Sequence, residues 1–153
     1  NMPLAYHHHM GTVIETEDET RRLMENTLDS VKLLLDTGHM LFAQGNSIKL
    51  ANEFAEKLIH VHCKDIRKDV LEKSLKNDST FRQAFLDGAF TVPGDGCIDY
   101  KPFLKVLKEI NYSGWLVVEA EQDPVKANPF EYAKIGFKYL SKIVNECGFK
   151  IVN

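Results

Sequence analysis

The run from Val31 to His39, VKLLLDTGH, constrains the fold of this chain more than any other stretch. Branched aliphatic residues that end in polar residues and glycine are typical of a strand buried on both faces, as in parallel sheets. An acid at the end of such a strand either caps the next helix or turn, or meets a metal ion, a hydrogen-bond network or solvent. This run alone leaves both interpretations of Asp36 open.

The same pattern occurs three more times along the chain. Apolar runs end in imidazoles at residues 4–9, in imidazole and acid at 58–65, and in carboxylates at 115–121. The carboxyl ends of parallel strands meet at one edge of a sheet, where enzymes of the α/β class place their active sites. We therefore expect the polar side chains of these four strand ends to converge.

Helical patterns separate the apolar runs, and two stretches, 37–46 and 90–99, are predicted as loops because of their glycines and turn residues. The helices are predicted at Glu17–Leu28, Ile48–Lys57, Ile66–Asn77, Ser79–Leu86, Tyr100–Ile110 and Pro129–Glu146. Strands that alternate with helices predict parallel pairing with right-handed crossovers.

The number of strand–helix units limits the choice of architecture. A TIM barrel has eight units in about 250 residues, whereas this chain has four in 153 residues. The alternatives are therefore half of a TIM barrel or a small open α/β sheet. The chain begins at Asn1 and enters a strand almost at once, which favours the half-barrel and the expectation that an earlier part of the domain is missing.

Composition narrows the class of protein. The apolar content of 44% suffices for one compact domain, and a net charge of −3 with dispersed basic residues argues against nucleic-acid binding. We find neither a transmembrane segment nor a signal peptide, so we expect a cytoplasmic protein that binds no membrane. Cys63, Cys97 and Cys147 are an odd number without CxxC spacing, which is typical of reduced thiols.

Imidazole and carboxylate side chains together form a ligand set for Mn, Co, Fe or Zn. Such a metal polarises a ketone or enediolate oxygen while a nearby group moves the proton of the adjacent carbon, as in the isomerisation, epimerisation or dehydration of keto-sugars. His39, Lys64 and Arg67 are the groups best placed to bind hydroxyls or move protons. Alternatively, each histidine is a core residue, and Lys64 and Arg67 merely solvate the start of a helix.

Four motifs carry a resemblance to a known family: YHHHMGT at 6–12, LDTGH at 35–39, HVHCKD at 60–65 and GWLVVE at 114–119. They resemble the sugar isomerase/epimerase-like, or xylose isomerase-like, TIM barrels, and among these the inosose dehydratases most closely; residues 90–99 also resemble a segment of those enzymes. The resemblance implies that residues 1–153 are one domain, the C-terminal four βα units of the barrel. Asp-x-x-His and a strand-end Glu are shared with ketose epimerases and zinc endonucleases of the superfamily.

The resemblance also implies a metal site, with Mn or Co as the metal. The wider family holds its metal with a Glu, an Asp, a His and a Glu, and the last three match Asp36, His62 and Glu119. The first matches His7, a departure that leaves either an imidazole ligand or a three-ligand site completed by substrate and water. His39 matches a histidine on the substrate side, and Arg67 lies roughly where epimerases use a sugar-binding arginine.

The activity implied by the resemblance is that of a metal-dependent lyase of inositol catabolism. It removes water from scyllo-inosose (2-keto-myo-inositol), a polyol ketone, to give a trihydroxycyclohexane-dione. A proton leaves the carbon next to the ketone, and the β-hydroxyl then departs with the help of an acid such as His9 or Lys64. The alternatives are a ketose 3-epimerase or sugar isomerase, and a non-catalytic half-barrel that assembles with a partner or with itself as a homo-oligomer.

Overall fold

The computed structural model describes residues 2–152, so the expectation drawn from Asn1 lies outside it. The main sheet consists of β1 (Leu4–His7), β2 (Val31–Asp36), β3 (Leu58–Cys63) and β6 (Trp115–Val118). A small second sheet consists of β4 (Asp65–Ile66) and β5 (Phe90–Thr91). The main sheet has the order β1-β2-β3-β6, and every adjacent pair in it is parallel. The predicted parallel pairing is confirmed.

Seven helices lie between and after these strands in the described range. They are α1 (Glu17–Glu25), α2 (Thr37–Phe42), α3 (Ser47–Glu53), α4 (Lys68–Lys76), α5 (Phe81–Leu86), α6 (Tyr100–Glu109) and α7 (Pro129–Glu146). Most predicted helices extended one to four residues too far, whereas α7 has the predicted bounds. Helix α1 stops early because the side chains of Asn26 and Thr27 donate to the carbonyls of Arg22 and Leu23, at 2.8 Å each.

The prediction of a loop over 37–46 was wrong, because α2 starts directly after β2. Asp36 caps this helix: its side chain accepts the backbone N–H of His39 at 2.8 Å. Gly38 belongs to the predicted loop. In the structure it is a buried helical residue, and a Cβ there would lie 2.6 Å from Cγ of Lys64. The glycine therefore makes room for a lysine stem.

The prediction of an irregular loop over 90–99 was partly wrong, since Phe90 and Thr91 pair with β4. The buried carboxylate of Asp65 accepts the backbone N–H groups of Ile66 at 2.8 Å and Ile98 at 2.9 Å. Gly96 packs so closely that a Cβ would lie 2.2 Å from Oδ1 of Asp65. This segment is thus fixed above the C-terminal edge of the main sheet.

The hydrophobic core lies between one face of the main sheet and the helices. Alternate residues of the strands, such as Leu33, Leu35 and Val61, are fully buried there. Both outer strands of the sheet carry exposed apolar side chains, with Leu4 60% and Trp115 73% exposed. None of the helices in residues 2–152 is long and apolar enough to cross a membrane.

Candidate metal centre

Eight polar side chains meet at the C-terminal ends of the four main-sheet strands, in two tiers. The inner tier stands within one residue of the strand ends and comprises His7, Asp36, His62 and Glu119. The outer tier stands two or three residues further along the chain and comprises His9, His39, Lys64 and Glu121. The expected convergence of the four strand ends is confirmed, because side chains from all four are in contact.

The inner tier is compact. Nδ1 of His62 lies 3.1 Å from Oε2 of Glu119 and 3.6 Å from Oδ2 of Asp36. Nε2 of His7 lies 3.5 Å from the same Asp36 oxygen. The ligand atoms of Asp36, His62 and Glu119 all lie within 4.8 Å of one another, as the donors of one metal ion do.

Buried polar atoms without hydrogen-bond partners are concentrated in the inner tier. Within residues 2–152, six buried side-chain polar atoms lack a hydrogen-bond partner, and two of these belong to His8 and Ser74. The other four are Nε2 of His7, Oδ2 of Asp36, Nδ1 of His62 and Oε2 of Glu119. Each of them lies 3.0–3.6 Å from a charged or titratable neighbour, but none forms a hydrogen bond. Buried polar atoms are rarely left unpaired, and two imidazole nitrogens with two carboxylate oxygens suit a divalent transition metal.

Both interpretations of Asp36 find support, because its two oxygens differ in their surroundings. Oδ1 caps α2, whereas Oδ2 faces the inner tier. The backbone N–H of Asp36 donates to Nε2 of the buried His8 at 3.1 Å. Burial lowers the pKa of His8 to about 3, so its imidazole is neutral and acts as an acceptor.

Opposite charges balance within the inner tier. Burial would raise the pKa of Asp36, but the imidazoles of His62 and His7 and the Lys64 ammonium hold it well below its usual range. Burial likewise opposes the charge of His62, yet Asp36 and Glu119 raise its pKa to about 9. The two carboxylates therefore favour a positive charge at His62, the same sign of charge that a bound cation would bring.

Glu121 is the centre of the outer tier. Its Oε2 accepts a hydrogen bond from Nζ of Lys64 at 2.7 Å and lies 3.0 Å from Nε2 of His39, while its Oε1 lies 3.2 Å from Nε2 of His9. The sequence interpretation did not include Glu121 among the site residues. Its position two residues after Glu119 was the available signal, because alternate residues of an extended segment point the same way.

The two outer-tier imidazoles differ in charge although their ring centres lie only 3.7 Å apart. The hydrogen bond to Glu121, helped by the carbonyl of Met10, raises the pKa of His9 despite partial burial. Burial lowers the pKa of His39 despite its contact with Glu121. Two imidazoles whose pKa values are shifted in opposite directions thus lie side by side, as those of an acid and a base would.

Lys64 is fully buried, so the interpretation that it solvates a helix start is wrong. Its carbonyl accepts hydrogen bonds from the hydroxyls of Thr37 at 2.7 Å and Tyr100 at 2.8 Å. Burial disfavours the ammonium, but Asp36, Glu119 and Glu121 outweigh it and raise the pKa of Lys64. Lys64 is therefore a fixed cation between the two tiers.

Arg67 makes its contacts outside both tiers. Its guanidinium donates to the carbonyl of Gly88 at 2.7 Å, to Oγ1 of Thr91 at 3.1 Å and to Oδ2 of Asp95 at 2.6 Å. It also lies against the ring of Tyr132 on α7. Arg67 therefore ties the small sheet to α7, and its role in binding substrate stays a prediction.

Known proteins are similar to this chain over most of its length. The inosose dehydratase of Clostridium beijerinckii is 53% identical over 142 residues, which are 92% of this chain and 48% of that protein. The rhizopine catabolism protein MocC of Rhizobium meliloti is 48% identical over 148 residues, 97% of this chain and 46% of that protein. The chain thus spans about half the length of these relatives.

Solved structures share the fold. The crystal structure of the IOLI protein with a bound zinc atom superposes with a TM-score of 0.70 at 24% identity, over 97% of this chain and 51% of that one. L-ribulose 3-epimerase superposes with a TM-score of 0.64 at 16% identity, over 95% of this chain and 48% of that one. These matches confirm the predicted fold, half of a TIM barrel. Residues 1–143 match the model of one family, and the chain accordingly belongs to the xylose isomerase-like TIM barrels.

Proposed function

We propose that residues 1–153 are the C-terminal half of the single barrel domain of an inosose dehydratase, a metal-dependent lyase that dehydrates scyllo-inosose in inositol catabolism. One observation carries this proposal. The four buried atoms that lack partners in the inner tier are donor atoms of the four residues that the resemblance assigns to the metal. The identity of 53% to an inosose dehydratase supports scyllo-inosose as the substrate.

In this proposal, His7, Asp36, His62 and Glu119 hold a divalent cation, Mn or Co. When bound, the cation would polarise the ketone oxygen of the substrate and so acidify the neighbouring C–H. The unpartnered Nε2 of His7 supports an imidazole as the fourth ligand, in place of the carboxylate of the wider family. Asp36 would bind through Oδ2 alone, because Oδ1 caps α2.

The outer tier supplies the groups for proton transfer. His39, whose pKa is lowered, would accept the proton of the carbon next to the ketone. The C–O bond of the β-hydroxyl then breaks, and His9, whose pKa is raised, would protonate the departing oxygen to give water. The new double bond carries the hydroxyl of the former α-carbon, and this enol becomes the second ketone of the dione. Lys64 would stabilise negative charge between the tiers.

The arrangement of carboxylates favours dehydration over epimerisation. An epimerase that exchanges a proton across the two faces of a carbon is served by carboxylates on opposite sides of the substrate. Here Glu119 and Glu121 come from one segment, two residues apart, the third carboxylate, Asp36, is assigned to the metal, and the end of β1 carries imidazoles at residues 7–9. An imidazole pair with opposite pKa shifts suits abstraction at one carbon and protonation at the next oxygen.

Turnover of scyllo-inosose, followed by the absorbance of the dione, tests this proposal. We expect metal-stripped protein to be inactive and Mn or Co to restore activity, with Zn as a further comparison. Glu119→Gln should abolish restoration, whereas Glu131→Gln on the exposed side of α7 should not affect it. Turnover without metal, or epimerisation of a ketose in place of dehydration, would contradict the proposal.

Two further parts of the proposal concern the setting of the enzyme. The three cysteines are free thiols, which is consistent with the cytoplasm. Exposed apolar side chains on both outer strands, Leu4 and Trp115, support assembly with further barrel units, including those of a homo-oligomer. Sedimentation velocity of the protein measures that assembly.

A further inference from the structure

We infer that Glu121 is a positioning residue that holds the ammonium of Lys64 away from the metal ligands. This inference rests on the proposed metal centre and assigns a task to a residue that the sequence interpretation left out. Glu121 lies in the outer tier and so does not belong to the ligand set itself.

Lys64 is held so that its ammonium must lie near the metal site. Its carbonyl is fixed by Thr37 and Tyr100, and its stem passes over Gly38, which has no Cβ to displace it. Nζ of Lys64 lies 2.7 Å from Oε2 of Glu121, 3.0 Å from Oε2 of Glu119 and 3.6 Å from Oδ2 of Asp36. The nearest of the three carboxylate oxygens belongs to Glu121.

The other two oxygens are the carboxylate atoms proposed to bind the metal. An ammonium and a divalent cation seek the same oxygens, and at a buried site their mutual repulsion is weakly screened. Nζ of Lys64 also lies 2.7 Å from Nε2 of His39, which offers no negative charge. Without the charge of Glu121, the anionic partners that remain for the Lys64 ammonium are Glu119 and Asp36. Lys64 would then occupy the metal site as an internal competitor.

Glu121 is itself well anchored for this task. Its Oε1 lies 3.2 Å from His9, and its Oε2 lies 3.0 Å from the fully buried His39. The outer-tier imidazoles therefore fix the carboxylate, and the carboxylate fixes the ammonium. Outer partners of this kind commonly change metal affinity by about 10-fold to 100-fold when they are removed.

A double-mutant cycle on metal affinity tests the inference. Dissociation constants for Mn and Zn are measured by isothermal titration for the wild type, Glu121→Gln, Lys64→Met and the double variant. We expect Glu121→Gln to weaken binding by about 10-fold or more in the presence of Lys64. In the Lys64→Met background the same change should have little effect, because no competitor remains.

The cycle separates this inference from simpler explanations. An equal loss of affinity in both backgrounds would mean that Glu121 acts through its charge alone, and it would overturn the inference. An unchanged affinity in Glu121→Gln would do the same. If Lys64→Met does not fold, Lys64→Gln takes its place in the cycle. Failure of the wild type to bind any metal would overturn the proposed function as well. Glu131→Gln, on the exposed side of α7, is the matched control for removing one carboxylate.

Discussion

Oδ1 of Asp36 accepts the backbone N–H of His39 at 2.8 Å, and Oδ2 of the same carboxylate has no hydrogen-bond partner within residues 2–152. Oδ1 caps α2, whereas Oδ2 faces the side chains of His7, His62 and Lys64. The two atoms of one side chain therefore contribute separately to stability and to the site. Substitutions that keep the capping oxygen but remove the negative charge can therefore separate the contribution to stability from the contribution to the site.

Asp36→Asn and Asp36→Ala should affect metal binding alike but stability differently. Both variants lose the charged oxygen, so we expect the affinity for Mn to fall by about 100-fold or more. Asparagine can still cap α2 through its amide oxygen, whereas alanine cannot, so Asp36→Ala should be less stable than Asp36→Asn by about 1 kcal/mol. Urea unfolding and isothermal titration measure the two effects, and equal stabilities would contradict the separation.

His7→Ala should weaken metal binding by about 10-fold or more if its imidazole is the fourth ligand. The matched control is His60→Ala, since His60 belongs to β3 two residues before His62 and is not among the inner-tier atoms without partners. An affinity that His7→Ala leaves unchanged would favour three protein ligands, with substrate and water completing the coordination.

Metal affinity should rise with pH. The pKa of His62 is about 9 in the metal-free site, so at pH 7 its imidazole carries a proton that a metal must displace. The apparent affinity should therefore increase about tenfold per pH unit from pH 7 until the pKa is reached. Titrations at pH 7 in buffers of different ionisation enthalpy should report release of about one proton. A pH-independent affinity would contradict the assignment of His62 as a ligand.

Glu17 should stabilise the fold at neutral pH and lose this contribution in acid. Its carboxylate forms an ion pair with Lys49 and accepts hydrogen bonds from Arg21 and from the backbone of Asn46, and these partners lower its pKa to about 2. A lowered pKa stabilises the folded state above about pH 4.5, and the gain disappears between about pH 4.5 and 2. We expect Glu17→Gln to cost about 1 kcal/mol at pH 7. Its effect should vanish near pH 2, and the exposed Glu25→Gln serves as the control.

Gly38→Ala should destabilise the protein by about 1–3 kcal/mol, because the new Cβ would overlap the buried stem of Lys64. In a Lys64→Ala background most of that stem is gone, so the same change should cost less. Thermal unfolding of the four proteins of this cycle measures the difference. Equal costs in both backgrounds would show that the strain arises elsewhere.

The sequence was sufficient to predict the four strands of the main sheet and their polar ends, because both follow from local pattern. The choice of His7, Asp36, His62 and Glu119 as metal ligands came from the family resemblance and stays a prediction. Helix α2 was missed because a glycine normally argues against a helix, and only the tertiary contact with Lys64 explains Gly38. Glu121 was missed for a related reason. The alternation of an extended segment places Glu121 on the same side as Glu119. Its partners, His9, His39 and Lys64, come from the end of β1, from α2 and from the end of β3. The spacing of residues along one strand does not predict such contacts between strands.

The two-residue spacing between the tiers makes the site sensitive to insertions and deletions in its strands. His62 and Lys64 are two positions apart, so both point to the same side of their strand. A single-residue deletion within β3 would turn both of them toward the helices and bring Val61 and Cys63 to the centre of the site. A substitution removes one side chain from the site, whereas an insertion or deletion in a strand removes both the inner-tier and the outer-tier residue of that strand at once.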